Sequence, residues 1–458
     1  MNLNILEKFS HHIYTPAVNL SKGIPFRQAI AQANANQHRS TDEILADANR
    51  SLTNLFAHAY NTTKYYREIF DRIGVTPGDL PANHIAATLP ILTKADVFER
   101  GKDMISNVVD RSWKQCRTSG STGISMPFVI DGTHAAWTAA SVYRGRGWWG
   151  IPRCAKEMVL WARAVDNSPS SSLLSALKYR LRNRHQFDTF VDFDDNRADM
   201  LVAALRKIHP KVLYGYGSSL GRLAMYMRDR GIVLSPTEAP VLAEYTADHM
   251  SLEEQEIGRS CFGCPVISGY GASEIGGVAQ MCREGNLHIS IDHVVVEIVG
   301  PNGQSVEPGE IGEIVITALN NKAMPFIRYA IGDVGRLSKE PCRCGLPFPT
   351  MVLELGKAVE LIETSSAKGM SAHVFDYINL HLMKQGVRGI RQFFVEQTGR
   401  DAFVLTIVKD TVFEPACVDM FVAKMREKLG ASVDVDVRFA SDVPHRNSGK
   451  RYYFRKTF

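Results

Sequence analysis

The chain has 458 residues, 45% of them apolar and 22% charged, with a formal net charge of +5. That length exceeds one ordinary hydrophobic core, so two or three domains are expected. The composition is that of a soluble globular enzyme, and so slight a positive balance does not suggest a nucleic-acid binder, whose basic surface would be more concentrated.

No early apolar segment marks a signal peptide, and no run approaches the ~20 apolar residues of a membrane span. The expectation is a cytoplasmic protein with neither membrane nor nucleic acid among its partners. Eight cysteines in so long a chain are no disulfide framework. In a reducing compartment they point to metal, or to nothing more than packing.

Ile44, Leu45, Ala48, Leu52, Leu55 and Phe56 recur at helical spacing through residues 42–72, and Gly74, Pro77 and Gly78 predict where that pattern stops. Leu89-Pro90-Ile91-Leu92-Thr93-Lys94-Ala95-Asp96 opens a further helix, with Thr93 as its N-cap. Residues 118–123, Thr-Ser-Gly-Ser-Thr-Gly, run into an apolar strand at 127–130. Glycines let successive N–H groups converge and the hydroxyls add donors, which suits the phosphates of a nucleotide. It is not a Walker A loop, because no Gly-Lys-Ser/Thr follows. Alone, it reads equally well as a flexible linker.

A helical stretch follows at 133–147. Its Arg144-Gly145-Arg146-Gly147 resembles an RNA-binding fragment, but a single copy beside Trp148 and Trp149 reads as an ordinary loop. Strands at 157–161, 211–216 and 240–245 then alternate with helices at 197–208 and 219–230. That alternation predicts α/β layers on a largely parallel sheet, with ligands at the strands' carboxyl ends near residues 118, 214, 246 and 269.

From about residue 286 the texture changes to short alternating segments, 287–291, 294–299, 312–317 and 325–329, separated by Pro-Asn-Gly and Pro-Gly turns. They predict an antiparallel, barrel-like subdomain at 286–355. Beyond it, strands at 391–395, 402–407 and 433–439 mix with helices at 372–382 and 415–429. The expected division is a large N-terminal domain, 1–355, and a small mobile α+β domain, 356–458, hinged at Gly356-Lys357.

Cys342-Arg343-Cys344, with Cys282 and His288, offers three thiolates and an imidazole for a tetrahedral zinc site. Cys261 and Cys264 are a rival pair, and all of them could instead be small buried residues.

Several motifs stand in one order along nearly the whole chain: Leu-Pro-x-x-Thr-Lys-x-Asp at 89–96, Thr-Ser-Gly-Ser-Thr-Gly at 118–123, Tyr-Gly-x-Ser-Glu at 270–274. Glu-Gly-Asn-Leu-His at 284–288, Ala-Met-Pro-x-Ile-Arg-Tyr at 323–329 and Ser-Gly-Lys at 448–450 complete the series. Each is weak alone. Together they resemble the adenylate-forming ligases, the acyl-CoA synthetase and luciferase superfamily, and within it the phenylacetate–CoA ligases and their capsule-biosynthesis relatives.

That resemblance implies activation of a carboxylic acid, aryl or arylacetic, by ATP and Mg²⁺. Pyrophosphate leaves, and the acyl group passes to coenzyme A. The loop Thr118, Ser119, Gly120, Ser121, Thr122 and Gly123 would hold the phosphates, and Glu274 the Mg²⁺. Asp333 would take the ribose hydroxyls, and Asp248 and Tyr270, with Gly271 and Ser273, would frame the adenine. Lys450 would bridge the carboxylate and the α-phosphate. Tyr214, Tyr216 and Ser218 are candidates for the acid's pocket. Relatives with Cys-x-Cys-Gly at this place favour a structural zinc.

Two departures matter. The usual lysine after the glycine-hydroxyl loop is absent, since Met126 and Pro127 follow Ser125. At the hinge, Gly356-Lys357-Ala358-Val359-Glu360 stands for Gly-Arg-x-Asp-Asp, so Lys357 keeps the charge but loses the fork. The second step is the one affected. An amine acceptor is the alternative to coenzyme A, and a non-catalytic nucleotide-binding scaffold is the alternative of another class.

Overall fold

The computed structural model describes residues 5–78, 88–118, 126–161, 181–187, 195–357, 362–366, 373–443 and 454–457. The apolar pattern at 42–72 folds as two helices, Thr41–Thr62 and Lys64–Ile73. Ser40 caps the first in a reciprocal capping box with Glu43. Thr63 is extended, interrupts the run, and caps the second through the Tyr66 N–H. Gly74 ends it in the left-handed conformation. Ile44, Leu52, Phe56 and Phe70 are buried in the largest core.

The strands are β1 (Lys114–Arg117), β2 (Pro127–Ile130), β3 (Glu157–Leu160), β4 (Arg184–Phe187), β5 (Val212–Tyr216), β6 (Leu242–Thr246), β7 (Val266–Ala272), β8 (Gly276–Met281), β9 (Leu287–Ile289), β10 (Val294–Val299), β11 (Gly312–Ala318), β12 (Tyr329–Leu337) and β13 (Thr350–Lys357). β1 and β2 form a hairpin. The other eleven make one sheet in the order β10-β11-β12-β13-β9-β8-β7-β6-β5-β3-β4. From β4 to β7 every pairing is parallel, and from β7 through β8 to β10 every pairing is antiparallel. The antiparallel strands expected after 286 therefore continue the parallel sheet edge to edge.

Alternation along the parallel strands divides the packing. Leu213, Ala243 and Val266 face the helices Asp195–Ile208, Gly217–Asp229 and Leu252–Phe262. Val212, Leu242 and Ile267 form a second cluster on the other face, with Trp149 and Tyr214. The helix Gly132–Trp148 covers that face, so Arg144 to Gly147 are its last turn and not a loop. Both arginines are consumed internally: Arg144 pairs with Asp292, and Arg146 with Glu157 and Glu244.

The segment expected as a strand at 325–329 only begins one. β12 starts at Tyr329, because Pro325 has no N–H to donate and Arg328 sits at φ 49. β13 is a further strand, Thr350–Lys357, that the segments singled out above do not include.

The C-terminal unit has its own sheet, β16-β15-β14-β17, with β14 (Ile390–Gly399) and β15 (Ala402–Lys409) antiparallel. β16 (Asp434–Ala440) and β17 (Phe454–Lys456) pair parallel at the edges. With the helices His373–Lys384 and Ala416–Leu429 it encloses a separate core of Phe375, Phe393, Phe403, Phe421 and Phe454. It touches the large unit through a polar latch. Asn379 Nδ2 donates to Glu253 Oε2 at 2.6 Å, and Arg228 lies 3.6 Å from Glu253 and 3.5 Å from Asp410. Among the described residues no helix is long and apolar enough to cross a membrane.

Candidate active site

The sheet changes from parallel to antiparallel at the β7–β8 hairpin, and Tyr270-Gly271-Ala272-Ser273-Glu274 occupies that change. Gly271 pairs with Gly277 and Ala272 with Gly276, leaving Ser273, Glu274 and Ile275 as the turn. Gly276 needs to be glycine: its φ is +88, and a side chain there would collide with Thr138.

Every second residue of β12 points to one face, and Tyr329 and Asp333, four apart, share it. The Tyr329 hydroxyl donates to Glu274 Oε1 at 2.9 Å, and the Tyr270 hydroxyl donates to Asp333 Oδ2 at 3.0 Å. Burial, followed by the carboxylate partner, pushes both phenols well above their ordinary range, so each stays a donor. The junction of the two halves of the sheet thus holds two carboxylates, each with one oxygen fixed by a tyrosine.

The motif at 89–96 buttresses this face from behind. The Leu92 N–H donates to Arg328 O, and the Ala330 N–H to Leu92 O, both at 2.9 Å. Thr93 caps the helix Lys94–Arg100 in a capping box with Asp96. Arg328 is likewise structural: it donates to Leu89 O at 2.6 Å and to Glu297 Oε2 at 3.2 Å.

A second rim forms where β5 and β6 end. The Ser218 N–H and hydroxyl donate to the Asp248 carboxylate at 3.2 and 2.5 Å, so these two candidates, one in the first turn of the helix Gly217–Asp229 and one after β6, meet directly. Ala247 beside them holds φ 71, a left-handed conformation costing about 1–2 kcal/mol for an L-residue, which the surroundings must impose. Tyr214 and Tyr216 stack against Trp161, with ring centroids 5.7 and 4.1 Å away. Trp161 is a residue that the motifs miss. Its signal is its place at the carboxyl end of β3, whose register runs parallel to β5.

Thr118 closes the neck of the glycine-hydroxyl loop. Its N–H donates to Met126 O at 2.9 Å, and its hydroxyl accepts from the Met126 N–H at 3.0 Å. Ser119, Gly120, Ser121, Thr122, Gly123 and Lys450 lie outside the described residues. Lys357 ends β13 opposite Asp333 in the strand register, and its side chain is also outside them.

About the β8–β9 hairpin, Cys282, His288, Cys342 and Cys344 converge, with all ligand atoms within 4.8 Å of one another. Cys282 Sγ is 3.8 Å from Cys342 Sγ, the edge of about 3.8 Å expected for sulfurs ~2.3 Å from a tetrahedral zinc. Cys344 Sγ is 3.2 Å from His288 Nε2. His288 Nδ1 donates to Phe348 O at 2.6 Å, which turns Nε2 toward the thiols, the usual outer-shell arrangement of a ligating histidine. Burial holds His288 below its ordinary pKa and pushes Cys344 up to about 12. In Cys342 burial also works upward, but hydrogen bonds from the Cys344 N–H and Asn286 outweigh it. The donor set fits zinc. Cys261 and Cys264 are buried in the core beside the helix Leu252–Phe262 and take no part.

No family model matches the chain. It is 22% identical over 431 residues to protein CapK of Staphylococcus aureus, covering 91% of this chain and 90% of CapK. To phenylacetate–coenzyme A ligase of Thermus thermophilus it is 26% identical over 330 residues, covering 68% and 69%. Its fold matches that of 2-hydroxyisobutyryl-CoA ligase in the postadenylation state, with a TM-score of 0.70 at 16% identity over 90% of this chain and 89% of that one.

Proposed function

For a chain with the fold of the adenylate-forming ligases, and with sequence relatives among the phenylacetate–CoA ligases, we propose ATP-dependent activation of a carboxylic acid. One carboxylate oxygen attacks the α-phosphorus, pyrophosphate leaves, and the acyl-adenylate then reacts with the thiol of coenzyme A to release AMP. The observation that carries this reading is the pair of tyrosine-held carboxylates, Glu274 and Asp333, at the junction of the two halves of the sheet.

In this reading Asp333 accepts hydrogen bonds from the ribose hydroxyls. Glu274 is the ligand for Mg²⁺, which when bound would offset the negative charge of the phosphates. Asp248 and Tyr270 border the adenine, and Tyr214, Tyr216 and Ser218 border the acid. The 118–123 loop supplies donors to the departing pyrophosphate. Lys450, carried by the small domain, faces the carboxylate and the α-phosphate together. The cysteine–histidine cluster holds a structural zinc, since four protein donors leave no open position for catalysis. Residues 1–355 form the adenylation domain and 356–458 the lid.

The test is exchange of labelled pyrophosphate into ATP across a panel of carboxylic acids, with Lys450→Ala as control. Loss of a contact made mainly in the transition state costs roughly 2.7–4 kcal/mol, or about 10²–10³ in rate. Exchange at the wild-type rate in Lys450→Ala would remove that residue from the mechanism. Acceleration of AMP release by amines, but not by coenzyme A, would replace the thioester step with amide formation.

A further inference from the structure

Two buried polar side chains on the sheet face beneath the helix Gly132–Trp148 have no part in the reading above. Gln280 on β8 is 4% exposed and Glu244 on β6 is 2% exposed. Gly269 lies between them on β7, paired directly with Gln280, while Glu244 pairs with Ile267 on the same face. A Cβ on Gly269 would stand 3.0 Å from Glu244 Oε1 and 3.5 Å from Gln280 Nε2. The absent side chain leaves that point bare. On the other side, Gly145 lets the covering helix pack directly on the stem of Gln280, since a Cβ there would stand 2.6 Å from Gln280 Cβ.

Glu244 Oε2 is committed to Arg146 Nε at 2.6 Å. Among the described residues, neither Glu244 Oε1 nor the Gln280 amide has a hydrogen-bond partner. Buried polar groups are nearly always paired, and an exception calls for a specific reason. Their surroundings indicate one. Tyr214 pairs with Glu244 and Tyr216 with Thr246 along β5 and β6, so the aromatic stack with Trp161 rises on the same face. Gly269 immediately precedes Tyr270, whose hydroxyl reaches Asp333. Charge is balanced there: Arg146 and Arg184 stand against Glu157 and Glu244. A neutral floor with one free acceptor and one free amide suits a hydroxyl, which donates and accepts, better than an ammonium group.

We infer that Glu244 and Gln280 are specificity-determining residues that bind a hydroxyl group on the body of the carboxylic acid, making the substrate a hydroxylated acid. The hydroxyl donates to Glu244 Oε1 and accepts from Gln280 Nε2, with the tyrosines and Trp161 against the apolar part. This rests on the adenylation reading.

The test uses matched pairs of acids, such as phenylacetate with its 3- and 4-hydroxy derivatives and benzoate with its hydroxybenzoates. Each is measured with the full-length protein by calorimetric binding and by pyrophosphate exchange. In at least one pair the hydroxylated acid should bind at least tenfold more tightly. Gln280→Met, which keeps the volume and removes the amide, should reduce that preference to about threefold or less. Gly269→Ala, which places a methyl group over both polar groups, should do the same if Gln280→Met does not fold. Equal binding within every pair, no binding by any acid, or an undiminished preference in both variants would overturn the inference. A hydroxyl preference in binding without exchange would keep the subsite and overturn adenylation instead.

Discussion

At the scale of single residues, the tyrosines deserve as much weight as the carboxylates they hold. Tyr329→Phe keeps the ring and removes only the hydroxyl on Glu274, leaving a buried carboxylate short of a partner at a cost of about 1–3 kcal/mol. We expect a raised Mg²⁺ concentration for half-maximal pyrophosphate exchange, with Glu274→Gln more severe; an unchanged metal titration in both would place the ion elsewhere. A second residue-scale effect comes from His134 and His293, whose rings lie 5.3 Å apart in the interior. Burial holds His293 at about 3, aided by Arg144, and His134 well below its ordinary value, aided by His293. Both folded pKa values lie below the unfolded value of about 6.5, so their contribution is fully present above that pH and is lost as pH falls toward the folded values. By pH 5 the loss from His293 approaches about 2 kcal/mol, and His134 adds to it in the same direction. The urea midpoint should fall between pH 7 and 5, and His293→Gln should flatten the slope. Glu274 and Asp333 could be picked out of the sequence because each sits in a short motif. Tyr329 lay in a motif too, but its contact with Glu274 spans 55 positions and depends on strand register. Trp161, Glu244 and Gln280 stand in no motif and become neighbours only through the sheet.

At the scale of elements, the sequence was most legible where local chemistry decides the outcome. Ser40 and Thr93 cap helices, Gly74 ends one, and the alternation of apolar strands with helices produces the parallel layer. It was least legible where long-range pairing decides. Thr63 divides one apolar pattern into two helices, β12 begins only at Tyr329, and β13 joins β12 to β9, a neighbour some sixty residues back. Cys342 and Cys344, in the turn before β13, meet Cys282 and His288 on the β8–β9 hairpin, so a metal there would tie a turn to a hairpin. Elemental analysis should find about one zinc per chain, and Cys342→Ser should lower it. Stripping the metal should cost stability, about 4 kcal/mol for a site a thousandfold above its dissociation constant. Full stability in a zinc-free preparation would make the cluster a packing feature.

At the scale of the whole molecule, the latch between the units is small and polar: Asn379 on Glu253, with Arg228 between Glu253 and Asp410. Interfaces of this kind permit relative motion of the parts they join. Asn379→Ala should increase hydrogen exchange across the helices Leu252–Phe262 and His373–Lys384 by an amount corresponding to about 1–3 kcal/mol, leaving both cores protected. Unchanged exchange in both helices would mean that the latch holds nothing. The small unit's separate phenylalanine-rich core has an optical consequence. The five tryptophans are Trp113, Trp137, Trp148, Trp149 and Trp161, all in the large unit, and residues 356–458 have none. Intrinsic fluorescence excited at the indole band therefore follows the large unit alone, whereas calorimetry weighs both. A heat-absorption peak with no matching emission change is the signature of the silent unit melting by itself, and not of a partly folded intermediate of the whole chain.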